Sequence, residues 1–488
     1  MGFLTENKPK CLISVNGNTI LKSLSNAFPK AHLQIISDYK IDVLRNYLDS
    51  TDPNFRFNII QSQGNGTCAG ISEALNLIPK GEQFAISWSD LFYKSPISLP
   101  DNNKNYVCVS NTETCRYSYK EGKFIEESTN TDGVIGLFIF KSKEFLTSLP
   151  NVGEFVKFLA SSNIEFDPFL VDSVVEIGTL DKYLKFKASY PVSRFFNNVE
   201  IDDTTVIKYS INKGFDGVHS DEKNWYQFMQ SHGYGDIPRI ISYEPLKMER
   251  VIGSHPYQIY KLSKDDKIEL IKLIIEKLQN IHSIASSITN YDDIYKTYVV
   301  KTLDRIRPVT NILKLKSVRQ FVVNGKRVSS LLPEQADVLK DLIKNLKRLK
   351  SFFPIHGDPT FSNIIVSKNN SVKFIDPRGY FGDTKIFGDG RYDFAKLYYS
   401  AVGNYDQFNN GNFRISINFP EVNIKIQSSQ FELTDDIFSI ILKDNYRDIK
   451  ILHSLIWLSL SGYVLNDYDS ILAAYFMGLY YLEGVLSE

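Results

Sequence analysis

The chain has 488 residues, 43% of them hydrophobic and 23% charged, the composition of a soluble globular protein long enough for two or three domains. Lysine plus arginine equals aspartate plus glutamate at 56 each. That balance excludes an extended nucleic-acid-binding surface, while a local basic pocket for a nucleotide phosphate remains compatible with it.

The first part alternates strand-like and helix-like segments. Leu33–Ile36 reads as a strand, Ile41–Leu48 as a helix and Phe57–Ile60 as the next strand. A helix over Ala69–Leu77 and a strand over Gln83–Trp88 follow, and such alternation predicts a parallel sheet covered by helices. Tyr106–Val109 and Val134–Phe140 predict a mixed or antiparallel extension, and Tyr190-Pro191 is the expected domain boundary. The four cysteines, Cys11, Cys68, Cys108 and Cys115, lack zinc-ligand spacing. Cys108 and Cys115 could bridge, but reduced thiols are expected in a cytoplasmic enzyme.

From Ser193 the character changes. Val199–Ile201 and Thr205–Tyr209 predict a hairpin around Asp202-Asp203, then a helix over Glu222–Gln230 and strands near Arg239–Tyr243 and Leu246–Val251. After Asp265 the chain reads as largely helical, with Ile268, Ile271, Leu273, Ile275, Leu278 and Ile281 on a broad apolar face. The expected layout is a small β-rich lobe over 191–255 and a helical lobe over 256–488. The longest apolar run, Ile451–Leu465, is interrupted by His453, Ser454, Ser459, Ser461 and Gly462, too short and polar to span a bilayer. No cationic leader followed by an apolar segment is expected at the N-terminus.

Within the helical lobe, His356-Gly357-Asp358-Pro359-Thr360-Phe361-Ser362-Asn363 is followed by Phe374-Ile375-Asp376. Asp358 can accept a proton from a substrate hydroxyl, and Asn363 and Asp376 can hold Mg²⁺ against ATP phosphates. Ile364–Val366 and Val372–Phe374 read as short strands around the polar turn Ser367-Lys368-Asn369-Asn370, so Asn363 and Asp376 are expected side by side at the mouth of a hairpin.

With these residues placed, the chain from about 193 to 488 resembles the aminoglycoside phosphotransferase and choline kinase superfamily, whose H-G-D-x-x-x-x-N and I-D motifs stand here as HGDPTFSN and FIDPRG. The resemblance implies Asp358 as catalytic base, Asn363 and Asp376 as metal ligands, Lys208 as the lysine gripping the α- and β-phosphates, and Glu222 as its ion-pair partner. It places the adenine-binding hinge at Met248-Glu249-Arg250. Arg378 and Asp393 match scaffold positions near the metal loop, and His356 is expected to orient the catalytic loop. No G-x-G-x-x-G loop is present, unlike in protein kinases, which points to a small-molecule kinase.

Residues 4–21, LTENKPKCLISVNGNTIL, resemble the opening of the sugar-phosphate nucleotidyltransferases from its L-T onward. By that resemblance Lys10 neutralises phosphate charge at the transferring centre. Gln63-Gly64-Asn65-Gly66-Thr67 matches the loop where Gly64, Gly66 and Thr67 approach the nucleotide base. Asp90, ending the strand Ser87-Trp88-Ser89-Asp90, and Glu176, in Val175-Glu176-Ile177-Gly178-Thr179, are the implied Mg²⁺ ligands, with glutamate at 176 where the family has aspartate. Asp181-Lys182-Tyr183 completes the match. The family's glycine-rich phosphate loop and its arginine are not found. The expectation is that Met1 is an internal methionine of a longer protein or that the domain has lost its loop, and that the domain as given is weak or inactive in nucleotidyl transfer.

The implied fold is α/β throughout: an N-terminal Rossmann-like nucleotidyltransferase domain over 1–190 and a C-terminal two-lobed, protein-kinase-like phosphotransferase domain. The implied partners are nucleotides and a small alcohol such as choline, ethanolamine, a polyol or a sugar. ATP is the implied phosphoryl donor, CTP or another NTP the nucleotidyl donor, and Mg²⁺ the cofactor of both. Fusions resembling this pair make NDP-activated precursors for capsule or surface polysaccharide. A cytoplasmic protein, free or as a homo-oligomer, without membrane insertion, fits that role. The alternatives are a kinase with a degenerate, regulatory N-terminal domain, and a pseudoenzyme scaffold. Trp225, Tyr226 and Trp457 could form an aromatic cage for a quaternary ammonium, though core packing is the default for them.

Overall fold

The computed structural model describes residues 2–51, 53–101, 103–189, 197–210, 216–259, 261–367, 369 and 371–488. The expected boundary at Tyr190-Pro191, the Met1 position, and Lys368 and Asn370 of the hairpin turn lie outside them. The chain is a mixed α/β protein that divides into two compact units, one of Met1–Val192 with Asn311–Lys314 and Val464–Asp469, the other of the remainder. No helix among the described residues is long and apolar enough to cross a membrane. All four cysteines are free.

In the first unit the helices and strands alternate as their patterns predict: His32–Ser37, Ile41–Thr51, Arg56–Gln61, Thr67–Leu75 and Phe84–Ser87. The hydrogen bonding is distributed differently from the expected parallel sheet. His32–Ser37 and Arg56–Gln61 pair in parallel as a separate ribbon. Phe84–Ser87 instead pairs antiparallel with Gly133–Phe140, the strand at the centre of a six-stranded sheet. In that sheet only Asp167–Leu170 and Tyr106–Ser110 run parallel. The physical reason is burial. All eight residues of Gly133–Phe140 are buried, so the strand needs partners on both edges and apolar cover on both faces. Phe138 and Phe140 pack with Phe155 and Trp88 on one face, while Leu137 and Ile139 join Leu91 and Val174 on the other. Gly136, at φ +83°, marks the bulge in this strand: a Cβ there would lie 2.0 Å from the Trp88 ring.

In the second unit, Asn197–Ile201, Thr205–Ser210, Leu246–Glu249 and Ile240–Tyr243 form an antiparallel sheet in that spatial order. Val199 stands opposite Lys208 and Ile201 opposite Val206, so the expected hairpin forms with its turn centred on Asp203-Thr204, one residue past the expected Asp202-Asp203. Asp202 Oδ1 caps that turn by accepting from the Thr204 and Thr205 backbone N–H groups at 2.7 and 2.6 Å. The helix Asp216–Ser231 follows the hairpin. Helices that follow include Lys264–Ser283, Lys301–Ile312, Gly390–Ala401, Tyr446–Ser461 and Tyr468–Leu486, the first opened by a Ser263–Asp266 capping box. Trp225, Tyr226 and Trp457 are fully buried, so the core claims the rings an ammonium cage would use. Trp225 Nε1 donates to the Ile355 carbonyl at 2.6 Å, just before the HGD segment.

Candidate active sites

The HGD segment is held from below by one buried carboxylate. Asp393, near the start of the helix Gly390–Ala401 and 0% exposed, accepts from the backbone N–H of His356 at 2.9 Å and of Gly357 at 2.7 Å. Its Oδ2 also lies 3.0 Å from His282 Nε2. Two backbone donors on one carboxylate pin the turn far more firmly than a neutral acceptor would. Gly357 sits at φ +79°, and a Cβ there would meet the Arg378 Cβ at 2.8 Å, so the turn needs glycine on both counts. His356 ties the same turn to the next strand: its Nε2 lies 3.0 Å from the Ile375 carbonyl, and its Nδ1 accepts from Asp358 N at 3.3 Å. One donor and one acceptor define a neutral imidazole. Burial lowers its pKa, against the pull of Asp393 and Asp358.

The hairpin forms as its pattern predicts, with Ile364 opposite Phe374 and Val366 opposite Val372. Ile375 N donates to the Asn363 carbonyl at 3.0 Å, closing the mouth where the two expected metal ligands emerge. Asn363 turns its Nδ2 toward Asp358, 2.8 Å from the carbonyl and 3.3 Å from Oδ2. Asp376 adopts φ +56°, a left-handed conformation that aspartate tolerates better than most residues. Its Oδ1 is ion-paired with Lys208 Nζ, which also lies 2.6 Å from Glu222 Oε1. Lys208 is 4% exposed. Burial works against its charge, but the Asp376 and Glu222 carboxylates outweigh it and raise the pKa.

Met248, Glu249 and Arg250 lie in or against the sheet. Met248 is buried, Glu249 N donates to the Arg239 carbonyl at 2.9 Å, and Arg250 N to the Thr204 carbonyl at 2.7 Å. Two of the three backbone donors expected to meet adenine are thus committed, and chain free of the sheet begins at Val251. Beyond it, Ser254 bridges to Val366 on the hairpin.

One residue at this site was not singled out by any motif. Lys396 Nζ lies 2.9 Å from Asp358 Oδ1. It sits three positions after Asp393, so one face of one helix carries both the anchor of the HGD backbone and the partner of the HGD carboxylate. That i, i+3 spacing is the signal that could have revealed it. Burial opposes ionisation of Asp358, but Lys396 first, then His356 and Arg378, hold its pKa below the ordinary carboxylate value. The Asp358 side chain is still 38% exposed, open to a ligand.

In the first unit, Leu91–Tyr93 pairs antiparallel with Val174–Glu176, and this pairing brings residues 90 and 176 together across 86 positions of sequence. Ile177 N donates to the Asp90 carbonyl at 2.8 Å. Glu176 Oε1 and Asp90 Oδ2 flank Gly178, lying 2.3 and 2.8 Å from where a Cβ would stand. Lys10 Nζ is 2.9 Å from Asp90 Oδ2. Lys182 Nζ, absent from the expected set, pairs with Glu176 Oε2. The loop of Gly64, Gly66 and Thr67 is exposed, but its glycines serve the chain itself. A Cβ on Gly66 would lie 2.5 Å from the Gly153 carbonyl, and one on Gly64 2.5 Å from Ala69. Among the described residues no three His, Cys, Asp or Glu side chains converge as a metal cluster.

No protein-family model and no curated protein matches the chain. Among solved structures it is similar to HddC from Yersinia pseudotuberculosis at 17% identity, over 38% of this chain and 90% of that one, with a TM-score of 0.32. It is similar to CTP:phosphocholine cytidylyltransferase from Streptococcus pneumoniae at 13% identity, over 39% and 93%, with a TM-score of 0.31. The gentamicin complex of APH(2")-IIa is matched at 15% identity over 59% and 88%, with a TM-score of 0.38.

Proposed function

We propose that this chain is a bifunctional enzyme whose second unit phosphorylates a small alcohol with ATP and whose first unit couples the resulting phosphate to a nucleoside triphosphate, giving an NDP-activated precursor for surface polysaccharide. The observation that carries the kinase half is the joining of Asp358, Asn363 and Asp376 through one turn and one hairpin, with the Lys208–Glu222 pair on Asp376.

Asp358 is the base. Held ionised beside Lys396, it orients the acceptor hydroxyl and takes its proton as the new bond forms, a modest demand on basicity in a loose transition state. Asn363 and Asp376 would hold Mg²⁺, which when bound offsets negative charge between the ATP phosphates. The Asn363 amide is suited to a metal ion because its nitrogen is occupied by Asp358, while its Oδ1 accepts no hydrogen bond from the described residues. Glu222 fixes Lys208 for the α- and β-phosphates. Asp393 and His356 are positioning residues that keep Asp358 in place.

In the first unit, Asp90 and Glu176 would share a divalent cation beside Gly178, whose missing side chain leaves room for it. Lys10 would offset charge at the α-phosphate, and Lys182 would hold Glu176 until the ligand arrives. Incubating the full chain with small alcohols and Mg-ATP, then with each NTP, and reading products by mass spectrometry tests both halves. ADP and an alcohol phosphate without pyrophosphate would favour the regulatory reading of the first unit. Transfer that persists in Asp358→Ala would overturn the kinase assignment.

A further inference from the structure

The surroundings of Asp358 are unusually cationic. Lys396 is in contact with its carboxylate. Arg378 lies against the same turn, its Cβ 2.8 Å from the Gly357 Cβ position, its Nη1 3.3 Å from the Tyr392 hydroxyl and its guanidinium 4.3 Å above the Tyr380 ring. Lys301 and Arg305, one turn apart on the helix Lys301–Ile312, present a shared face. Arg305 stacks on Tyr463 at 5.5 Å and donates to the Gly462 carbonyl at 2.9 Å. Tyr392 lies among these cations, buried, one turn before Lys396 on its helix.

What sets the group apart is its imbalance. Lys396 has Asp358, but Lys301, Arg305 and Arg378 make no ion pair with a carboxylate among the described residues. The crowding bears on their protonation. The Tyr392 phenolate favours the Lys301 charge, yet burial with Arg378, Lys396 and Arg305 brings Lys301 down to about 8. Burial would raise Tyr392, and Lys301, Lys396 and Arg378 pull it to about 8. Asp358 and the Tyr392 oxygen are the acidic groups set against these four cations, so half-buried positive charge is in excess, and an anionic ligand relieves that excess. ATP has its own cationic grip in Lys208, which belongs to the Asp376 side of the site. The unmatched cations lie on the Asp358 side, where the acceptor hydroxyl must be.

We infer that the acceptor is an anionic alcohol, bearing a carboxylate or a phosphate besides its hydroxyl, and that Lys301, Arg305 and Arg378 receive its anionic group. The inference rests on the kinase reading above. In the step, the acceptor oxygen bonds to the γ-phosphorus of ATP as the bond from that phosphorus to the β,γ-bridging oxygen breaks. ADP leaves with the electron pair, and the hydroxyl proton passes to Asp358 and then to solvent. The cationic alcohols choline and ethanolamine are disfavoured by the same field that favours an anion.

The test is calorimetric binding of four probes to the full chain, with and without Mg²⁺ and a non-hydrolysable ATP analogue: glycerol, glycerate, glycerol phosphate and choline. The expected result is that glycerate or glycerol phosphate binds at least about tenfold tighter than glycerol, a difference of about 1.4 kcal/mol. Which of the two wins distinguishes a carboxylate from a phosphate. Lys301→Met, which keeps side-chain bulk, and Arg305→Gln, on the next turn, should each remove most of that preference while leaving the ATP analogue's affinity within twofold. Lys301→Arg should restore it. Anionic probes binding no tighter than glycerol, tighter binding of choline, or a loss confined to the ATP analogue would each overturn the inference. Failure of the kinase reading has a separate sign: the analogue does not bind, whatever the probes do.

Discussion

Lys396 Nζ lies 2.9 Å from Asp358 Oδ1, and the helix that carries Lys396 also carries Asp393, whose carboxylate holds the backbone of the turn on which Asp358 stands. Position and charge of the proposed base are therefore set by one helix. Removing the lysine separates the two effects. Lys396→Met should leave the fold and the turn in place and raise the Asp358 pKa, because the cation that favours ionisation is gone. The acidic limb of the kcat/KM profile for phosphoryl transfer should then move to higher pH. A profile that does not move would mean Lys396 does not tune the base.

Asp358→Asn keeps the shape of the side chain and its hydrogen bond with Asn363 but cannot take a proton. The kcat for phosphoryl transfer should fall by roughly 10²–10⁴, the usual contribution of a positioned general base. The thermal midpoint should fall, because Lys396 and its neighbouring cations lose their carboxylate. A loss under tenfold would reassign the base.

Lys208 is enclosed with two carboxylates, so its removal takes the cation that Glu222 and Asp376 share. Lys208→Met should cost about 3–5 kcal/mol of stability in urea unfolding, the range for breaking a buried pair. The double variant Lys208→Met with Glu222→Leu should recover part of that stability without recovering ATP affinity. A single variant as stable as the parent would show that water enters this pair freely.

His453 gives the second unit a dependence on pH. It is 1% exposed, and its Nε2 accepts the Trp457 indole N–H at 2.9 Å, which requires the neutral ring. Burial lowers its pKa to about 3, against about 6.5 in an unfolded chain. Between those values the unfolded chain binds the extra proton, so stability rises with pH across that window. The contribution is complete above about 6.5 and is lost as pH falls toward 3. His453→Gln keeps an acceptor for Trp457 without titrating. The urea midpoint of the parent should drop more than that of the variant between pH 7.5 and pH 5. Parallel pH curves would refute the assignment.

Gly178 sits where two carboxylates close in, with Glu176 Oε1 and Asp90 Oδ2 at 2.3 and 2.8 Å from a Cβ position. Gly178→Ala should weaken Mn²⁺ binding to the first unit tenfold or more, measured by water-proton relaxation, with little change in thermal midpoint. Unchanged Mn²⁺ affinity would separate this pair of carboxylates from any cation.

Local order was legible in the chain itself. Two short apolar runs with a polar turn between them specify a hairpin, and a hairpin brings its ends together, so the closeness of Asn363 and residue 375 follows from residues twelve apart. The hairpin of Asn197–Ile201 with Thr205–Ser210 follows in the same way, although its turn centres on Asp203-Thr204 rather than on the expected Asp202-Asp203. Lys208 and Glu222 were readable as a pair because a strand followed by a helix returns the chain alongside itself. Each of these rests on short-range geometry, where side-chain period and turn chemistry leave few choices.

Tertiary structure alone decided which strands share hydrogen bonds and which charges share a site. Phe84–Ser87 has the pattern of a strand that could join a parallel sheet, and it pairs instead with a strand about fifty residues away that is buried on both faces. The two glycines expected at a nucleotide base make room for Gly153 and Ala69. Lys396, Lys301 and Arg305 are ordinary basic residues on helices until packing sets them around one carboxylate and one phenol. Hydrophobic periodicity tells a helix which face to bury, but it says nothing about which polar face will meet which; that choice is made by the packing of elements far apart in the chain, and in this protein it is what sets the charge at the proposed acceptor site.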